Sequence, residues 1–182
     1  TGLVVSLVVA WQIPFLADVF SENTRVAGLI GAALWVVALG VADDIWDLHW
    51  MAKLGGQIIA GLILAFSGVV LVSLPVAGLT IGSARMSAIV TVFVVVACIN
   101  AVNFVDGLDG LAAGMIGIGG SAFFVYAYML TRINSPENYS SLATAILAAL
   151  VGICVGFLPH NFHPARIFMG DTGSMLLGVT IA

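Results

Sequence analysis

Long apolar runs alternate with short polar breaks along almost the whole chain. A helix that crosses a bilayer needs about 17 to 25 mainly apolar residues, and the runs have about this length. The pattern therefore predicts an all-α fold, a polytopic bundle of about seven transmembrane helices. The predicted spans are 2–17, 26–42, 54–73, 87–105, 111–130, 141–158 and 167–182.

Composition agrees with a membrane protein. The chain is 62% hydrophobic and 8% charged, so it lacks the polar surface that a soluble globule of 182 residues needs. The net charge of −4 and the five dispersed basic residues leave no basic patch, and nucleic acid is not an expected partner. Because the sequence begins and ends inside apolar runs, we expect residues 1–182 to be one membrane-embedded domain, truncated at both ends.

Six of the nine acidic residues lie in three short motifs between the apolar runs. A carboxylate at the bilayer centre costs roughly 2.5 to 3.5 kcal/mol on insertion scales, so such placement needs a reason. Successive connections between spans alternate sides of the membrane. The second, fourth and sixth connections, which carry or lead into the motifs, are therefore expected on one face. Basic residues do not orient that face, since they occur on both sides: Lys53 and Arg166 on one, Arg25, Arg85 and Arg132 on the other.

The first motif runs from Asp43 to Lys53 and opens where the second apolar run ends. The adjacent carboxylates of Asp43 and Asp44 repel each other, which favours a divalent cation, a lysine partner or a raised pKa. Lys53 can neutralise these acids or bind a phosphate oxygen. A solvated helix end is the alternative reading.

The second motif places Asn100, Asn103, Asp106 and Asp109 three residues apart. This spacing predicts four oxygen-bearing side chains on one helical face. Oxygen ligands suit hard cations such as Mg²⁺, which keeps waters and shares substrate phosphates. A purely structural helix cap is the alternative.

The third motif covers residues 159–174. Asp171 lies just inside the final apolar run, where coordination of a metal shared with substrate best explains a carboxylate. Arg166 offers a fork for phosphate oxygens, unless it is an interfacial arginine that extends to the membrane surface. His160 and His163 could be read as a zinc pair, but no further ligand completes the set.

Together the motifs predict an acidic, amide-rich site for Mg²⁺, a phosphorylated donor and a lipid acceptor at the membrane surface. A cation transporter also places acids and asparagines on transmembrane helices. It would have acids deep in several helices, whereas here they cluster at one face. Lys53 and Arg166 would also oppose the passage of cations.

Three blocks resemble the signatures of the polyprenyl-phosphate N-acetylhexosamine-1-phosphate transferases, glycosyltransferase family 4. The blocks are Asp43-Asp44 with Asp47 and Lys53, the run from Asn100 to Ala112, and the run from His163 to Ser174. Residues 44–48 and 157–159 are more similar to the WecA/TagO branch, which transfers GlcNAc-1-phosphate. The MraY branch, which transfers phospho-MurNAc-pentapeptide, is the alternative.

The resemblance implies transfer of a sugar-1-phosphate, GlcNAc-1-phosphate being favoured, from a UDP-sugar to a polyprenyl phosphate with release of UMP. Mg²⁺ is the implied cofactor, and a cell-envelope polysaccharide is the implied destination. The implied location is the bacterial inner (plasma) membrane, with the active site facing the cytoplasm and a homodimer left open. A Gly-rich upstream block and a downstream His/Arg-bearing loop of the family are absent, so we expect these residues not to work alone.

The resemblance also assigns roles to individual positions, residue by residue. For the reaction mechanism, direct attack by the acceptor phosphate and a route through a covalent aspartyl-phosphate both remain open. The implied roles are catalysis for Asp43, Asp44 and Lys53, with Lys53 contacting phosphate; metal binding for Asn103 and Asp171; uracil binding for Asp109 and Phe168; and other substrate binding for Asn100, Asp106, His163 and Arg166.

Overall fold

The structure is a computed structural model that describes residues 23–71, 83–133 and 140–182. In these ranges the chain forms α-helices and no strands, which confirms the predicted all-α fold. The helices are α1 (Asn23–Trp46), α2 (Trp50–Phe66), α3 (Ala84–Val105), α4 (Leu111–Ile133), α5 (Ser140–Asn161) and α6 (Gly170–Ile181).

Each described helix falls on one of the predicted apolar runs, and the first predicted run, 2–17, lies outside the described residues. By length and composition, α1, α3, α4 and α5 can each cross a membrane. The apolar helix α2 is shorter, at 17 residues. The chain is therefore part of a multi-pass membrane protein.

The helices α1, α2, α3 and α6 pack together around one apolar core. Each contributes two buried residues that are four positions apart, which places both on the same helical face. These pairs are Ala32 and Val36, Ala60 and Leu64, Val95 and Ile99, and Met175 and Val179.

Glycines let these helices approach one another to backbone contact. A Cβ at Gly178 of α6 would lie 2.5 Å from the Cα of Ile99 on α3. A Cβ at Gly61 of α2 would lie 3.0 Å from the Cα of Val92, also on α3. Small residues at such contacts permit close helix packing within lipid. These two glycines therefore set the spacing of α3 against its neighbours.

The helices α4 and α5 form a second group, packed as an antiparallel pair. Gly117 of α4 faces Cys154 of α5, and Gly120, one turn later, faces Val151, one turn earlier. The groove left by the two glycines accepts side chains of α5, so the two helices pack closely.

Many long apolar side chains point outward, as on α3, where Ile89 and Phe93 are 64% and 71% exposed. In water, such continuous apolar surface marks an interaction site or an aggregation hazard. A lipid environment removes that cost, in agreement with the spanning lengths of the helices.

The connection predicted between residues 43 and 53 is shorter than expected. Only residues 47–49 separate α1 from α2. Asp47 has a φ of +48°, and the Asp43 Oδ1 accepts a hydrogen bond from the Leu48 N–H at 2.9 Å. The side chain thereby satisfies a backbone donor beyond the helix end. Asp43 and its neighbour Asp44 consequently lie in the last turn of α1, not in a loop.

The connection predicted at 159–166 is also displaced along the chain. The helix α5 continues through Pro159 to Asn161, and α6 begins at Gly170 instead of Ile167. The buried Asn161 side chain donates a hydrogen bond to the Ile167 carbonyl at 3.0 Å, which holds the chain in a non-helical path after α5. The predicted run 167–182 is therefore helical only from Gly170 onward.

We expect Gly178→Ala to lower the melting temperature of the full-length protein in detergent. The added Cβ meets the backbone of α3, and overpacking of this kind costs about 1–3 kcal/mol. Gly55→Ala on α2 is the matched control, since a Cβ there has no described heavy atom within 4 Å. Thermal unfolding of the two variants checks this, and equal melting temperatures would contradict backbone contact between α3 and α6.

Candidate active site

Two carboxylates and one ammonium group meet at the ends of three helices. The Lys53 Nζ, in the first turn of α2, lies 2.5 Å from the Asp43 Oδ2 in the last turn of α1. It also donates a hydrogen bond of 3.1 Å to the Asp171 Oδ2 in the first turn of α6. Lys53 therefore joins the first and third sequence motifs.

The pairing with Lys53 is essential for Asp43, whose side chain is only 1% exposed. Within the described part of the chain, the Asp43 Oδ2 accepts no hydrogen bond of good geometry. An uncompensated buried carboxylate is strongly destabilising. The adjacent Lys53 ammonium compensates the charge of the Asp43 carboxylate. The Lys53 and Asp171 side chains remain 28% and 32% exposed, so both are accessible to a ligand.

Asn103 joins the second motif to the same cluster. Its Nδ2 donates to the Asp171 Oδ1 at 2.9 Å and to the Ser174 Oγ at 3.0 Å. Ser174 is fully buried and lies one turn along α6 from Asp171. Asn103 thus fixes the end of α3 against the first turn of α6 and orients the Asp171 carboxylate.

Asp44 has a different environment from its neighbour Asp43, although the two are adjacent in sequence. Its carboxylate accepts hydrogen bonds from the Asp171 N–H at 3.0 Å, the Thr172 N–H at 3.3 Å and the Thr172 hydroxyl at 2.6 Å. These are the free backbone donors of the first turn of α6, where a negative charge also interacts favourably with the helix dipole. Asp44 therefore caps α6.

The close approach of α1 to α6 at this cap requires glycine at two positions. Gly170 has a φ of +65°, and its hypothetical Cβ would lie 3.3 Å from the Asp44 Oδ1. A Cβ at Gly40 of α1 would collide with the backbone of Thr172. Both positions therefore bring the Asp44 carboxylate within hydrogen-bonding range of the helix start.

An amide pair lies one helical turn away from this cluster. The Asn100 Nδ2 donates to the Gln57 Oε1 at 2.5 Å and to the Val96 carbonyl at 2.8 Å. The Gln57 Nε2 lies 3.5 Å from the Asn100 Oδ1, so the contact is reciprocal. Gln57 is 2% exposed in an otherwise apolar helix.

A second group of predicted residues lies in the turn after α3 and in the segment after α5. The Asp109 Oδ2 accepts a hydrogen bond from the Ala165 N–H at 3.1 Å and lies 3.0 Å from the His163 Nδ1. These two contacts, the backbone one foremost, hold the pKa of the Asp109 carboxyl below its usual range. The Asn161 Oδ1 accepts a further hydrogen bond from the Gly110 N–H at 3.0 Å. The turn and the segment are thereby joined.

The remaining predicted residues of this second group are more open. Arg166 and Phe168 are exposed, the latter by 73%, and Asp106 is half-buried in the turn. The Arg166 N–H donates to the His160 carbonyl at 2.9 Å, which closes the loop after α5. The guanidinium and the phenyl ring are accessible to a ligand.

The structure brings residues of the three motifs together at Asp171, which contacts both Asp44 and Asn103 directly. The predicted alignment of four oxygen-bearing side chains on one helix is wrong for its last two members. The helix α3 ends at Val105, before Asp106 and Asp109. The glycines at 107 and 110 favour a turn instead, the second with a φ of +73°.

Sequence reasoning missed Gln57, Thr172 and Asn161. Gln57 had a detectable signal, because a lone amide inside an apolar helix one turn from Lys53 requires a partner. Thr172 follows Asp171 in the third motif, but its bond to Asp44 depends on tertiary packing. Asn161 lies between Pro159 and Pro164, where the apolar pattern predicts a connection, but it is the last residue of α5.

In the described residues no three His, Cys, Asp or Glu side chains are arranged to hold a metal ion. The zinc alternative therefore has no supporting geometry in this part of the chain. A site built from Asn103 and Asp171 would supply two protein ligands, one amide and one carboxylate. That number and type of donor suit Mg²⁺, which completes its shell with waters and substrate phosphates.

Comparison with known proteins gives concordant results. The model of the family described as glycosyl transferase family 4 matches residues 26–182. The decaprenyl-phosphate N-acetylglucosaminephosphotransferase of Mycolicibacterium smegmatis is 40% identical over 184 residues, covering 99% of this chain and 45% of that protein. Its counterpart in Mycobacterium tuberculosis is 40% identical over 185 residues, with coverages of 100% and 46%.

A relative with a different name is also similar. The phospho-N-acetylmuramoyl-pentapeptide-transferase of Desulforudis audaxviator is 37% identical over 171 residues, covering 82% of this chain and 49% of that protein. The chain spans less than half the length of each of these relatives. Since the family model matches most of the sequence, including all three motifs, the chain belongs to glycosyl transferase family 4.

Proposed function

We propose that the full-length protein transfers GlcNAc-1-phosphate from UDP-GlcNAc to a polyprenyl phosphate in a bacterial inner membrane, with the site facing the cytoplasm. The observation that carries the proposal is the position of Lys53 between Asp43 and Asp171. This cluster draws on separate sequence motifs and combines an accessible ammonium with carboxylates at helix ends. Relatives named for N-acetylglucosamine phosphotransfer support the choice of sugar.

The barrier in such a reaction is mainly electrostatic, because the donor pyrophosphate and the acceptor phosphate are both anions. Lys53 is held by two carboxylates and is still 28% exposed, so its ammonium is available to phosphate oxygens. A point charge fixed in this way needs little reorganisation when the substrates bind. Lys53 would therefore reduce the repulsion between them.

In the direct route, an oxygen of the acceptor phosphate attacks the β-phosphorus of the UDP-sugar. A new P–O bond forms, the bond from that phosphorus to the bridging oxygen breaks, and UMP leaves with the bonding electrons. The acceptor is a competent nucleophile as a dianion, since the second pKa of a phosphate monoester is about 6. The protein mainly has to orient it.

The two adjacent acids differ in their suitability for that task. Asp44 uses both carboxylate oxygens on the first turn of α6. Asp43 has an oxygen that pairs with the Lys53 ammonium and accepts no hydrogen bond of good geometry within the described residues. Asp43 is therefore our candidate for orienting the acceptor phosphate, which it would do through the partly exposed Lys53 ammonium because its own side chain is only 1% exposed. Asp44 holds Asp171 in place through the cap.

Mg²⁺ bound by Asp171 and Asn103 would supply positive charge to the donor pyrophosphate and the leaving UMP. The hydrogen bond between these two side chains supports this pairing, since they lie next to each other in the structure. Asp171 also keeps one oxygen on Lys53. The protein's own cation and the metal would thus share one carboxylate.

For the uridine moiety we propose Asp109 and Phe168. The Asp109 carboxylate, with its lowered pKa, is ionised at neutral pH and can accept hydrogen bonds from a base. The Phe168 ring is 73% exposed and offers a face for stacking. His163 holds Asp109 in position, and Arg166 is available to further phosphate oxygens.

Transfer of phospho-MurNAc-pentapeptide is the second candidate, favoured by the similarity to the Desulforudis audaxviator protein. Both candidates share the pyrophosphate chemistry and differ in the sugar. Cation transport has no such support. The Lys53 ammonium, fixed between two carboxylates, would repel a passing cation.

The proposal predicts that the full-length protein, with Mg²⁺ and a polyprenyl phosphate, converts labelled UDP-GlcNAc into a labelled lipid and UMP. Thin-layer chromatography of the lipid extract measures this. UDP-MurNAc-pentapeptide is the comparison donor, and preference for it would support the second candidate. No labelled lipid from either donor would contradict transferase activity.

Asp171→Asn should reduce turnover by at least about a hundredfold, because loss of one electrostatic contact at a charged transition state has this effect. Removal of Mg²⁺ with a chelator should abolish the activity of the unmodified protein. Added Mg²⁺ should restore that activity. The control is Thr180→Val on the same helix, which removes only a local bond to the Leu176 carbonyl. Near-normal turnover of Asp171→Asn would refute the metal role.

Phe168→Ala should raise the KM for the UDP-sugar roughly ten- to a hundredfold, the usual cost of losing one base–aromatic stack. The kcat should change less, since the ring is not assigned to the reacting phosphates. Phe162→Ala is the matched control, because Phe162 is an exposed phenylalanine of the same segment. Equal KM values for the two variants would rule out stacking on Phe168.

A further inference from the structure

The amide pair of Gln57 and Asn100 lies directly behind the charged cluster. Gln57 follows Lys53 by one helical turn on α2, and Asn100 precedes Asn103 by one turn on α3. Residues four or three positions apart share a helical face. The face of α2 that carries Gln57 therefore also carries Lys53, one turn away. The face of α3 that carries Asn100 also carries Asn103.

The pair joins a buried amide on α2 to an exposed amide on α3. Gln57 is 2% exposed, and its Oε1 accepts the 2.5 Å hydrogen bond from the Asn100 Nδ2. The Asn100 amide also bonds the Val96 carbonyl of its own helix at 2.8 Å, which fixes its rotamer. If the buried Gln57 amide lost its partner, it would remain unsatisfied among apolar side chains, which is costly.

Such a pair tolerates only one axial alignment of the two helices. Sliding by one residue moves a helix by about 1.5 Å, which exceeds the range of hydrogen-bond lengths. The close approach of Gly61 on α2 to Val92 on α3 is an apolar contact, and apolar contacts are not directional. The amide pair is therefore the contact best suited to set the register.

The register matters because Asp171 is held from both helices at once. Its Oδ2 accepts from Lys53 of α2 and its Oδ1 from Asn103 of α3. A shift of α2 against α3 would draw one of these donors away from the carboxylate. The side chains of the cluster would then no longer fit a common ligand.

We infer that Gln57 and Asn100 are positioning residues that lock the register of α2 against α3 and so place Lys53 and Asn103 on the Asp171 carboxylate. The inference rests on the proposed function for its kinetic readout. It gives Asn100 a partner within the protein, in place of the substrate contact that the sequence resemblance implied.

The test uses the full-length protein and four changes at the pair: Gln57→Leu, Asn100→Leu, both together, and the exchange of Gln57→Asn with Asn100→Gln. Each single leucine variant should lose at least about tenfold in kcat, since a misplacement of about 1 Å costs up to about a hundredfold. The KM for UDP-GlcNAc should stay within about twofold, because the pair does not bind the donor. Asn100→Leu should also melt at a lower temperature, because it leaves the buried Gln57 amide without its partner.

The double variants separate positioning from mere stability. Two leucines leave no unsatisfied buried amide, so the melting temperature should recover above that of Asn100→Leu while kcat stays low. The exchanged pair should recover both. Recovery of kcat in the double leucine variant, or a raised KM for Asn100→Leu alone, would overturn the inference.

Thr91→Val is the matched control. Thr91 is a buried residue of α3 whose hydroxyl bonds the Ser87 carbonyl and the Leu71 N–H, so its loss should lower stability without changing kcat. An equal loss of kcat in this variant would also contradict a positioning role.

If the unmodified protein makes no labelled lipid, the proposed function fails, yet the melting temperatures still test the pair. Additive losses of melting temperature in the double leucine variant would then refute the coupling between Gln57 and Asn100.

Discussion

The ammonium group of Lys53 between the carboxylates of Asp43 and Asp171 is the interaction on which the rest of the site depends. Asp43 is almost fully buried, and a buried carboxylate without a compensating charge would destabilise the fold. The ends of α1, α2 and α6 are therefore joined by an electrostatic requirement as well as by the apolar core. The same ammonium remains partly exposed, so one group serves the fold and is available to a phosphate.

The adjacent acids Asp43 and Asp44 show how the local environment divides two similar residues. One faces inward to Lys53, and the other bonds the free N–H groups at the start of α6. The cap positions Asp171, which in turn receives Asn103. Asp44 and Asp171 are thus bound by partners from other sequence motifs, while Asp43 pairs with Lys53 of its own motif. The four helices around the core must all be present for the cluster to form.

Much of the fold was predictable, because the thickness of a bilayer fixes the length of apolar runs that can span it. The helix ends were less so: Asp43 and Asp44 look like loop residues, but backbone and side-chain bonds beyond Asp43 extend the helix through them. The spacing of Asn100 and Asn103 correctly indicated a shared helix. The same spacing wrongly placed Asp106 and Asp109 on that helix, because α3 ends at Val105 and the glycines that follow favour a turn. Gln57 has no motif around it, and its role follows from the neighbouring helix alone.

The most direct test of the central claim is the distance from the Lys53 Nζ to the nearest phosphate oxygen in an experimental structure of the full-length protein with UDP-GlcNAc and Mg²⁺. We predict a hydrogen-bond distance of about 3 Å, with Asp171 and Asn103 beside the same pyrophosphate. A nucleotide sugar bound with its phosphates away from these three residues, and Lys53 still held only by Asp43 and Asp171, would contradict the account.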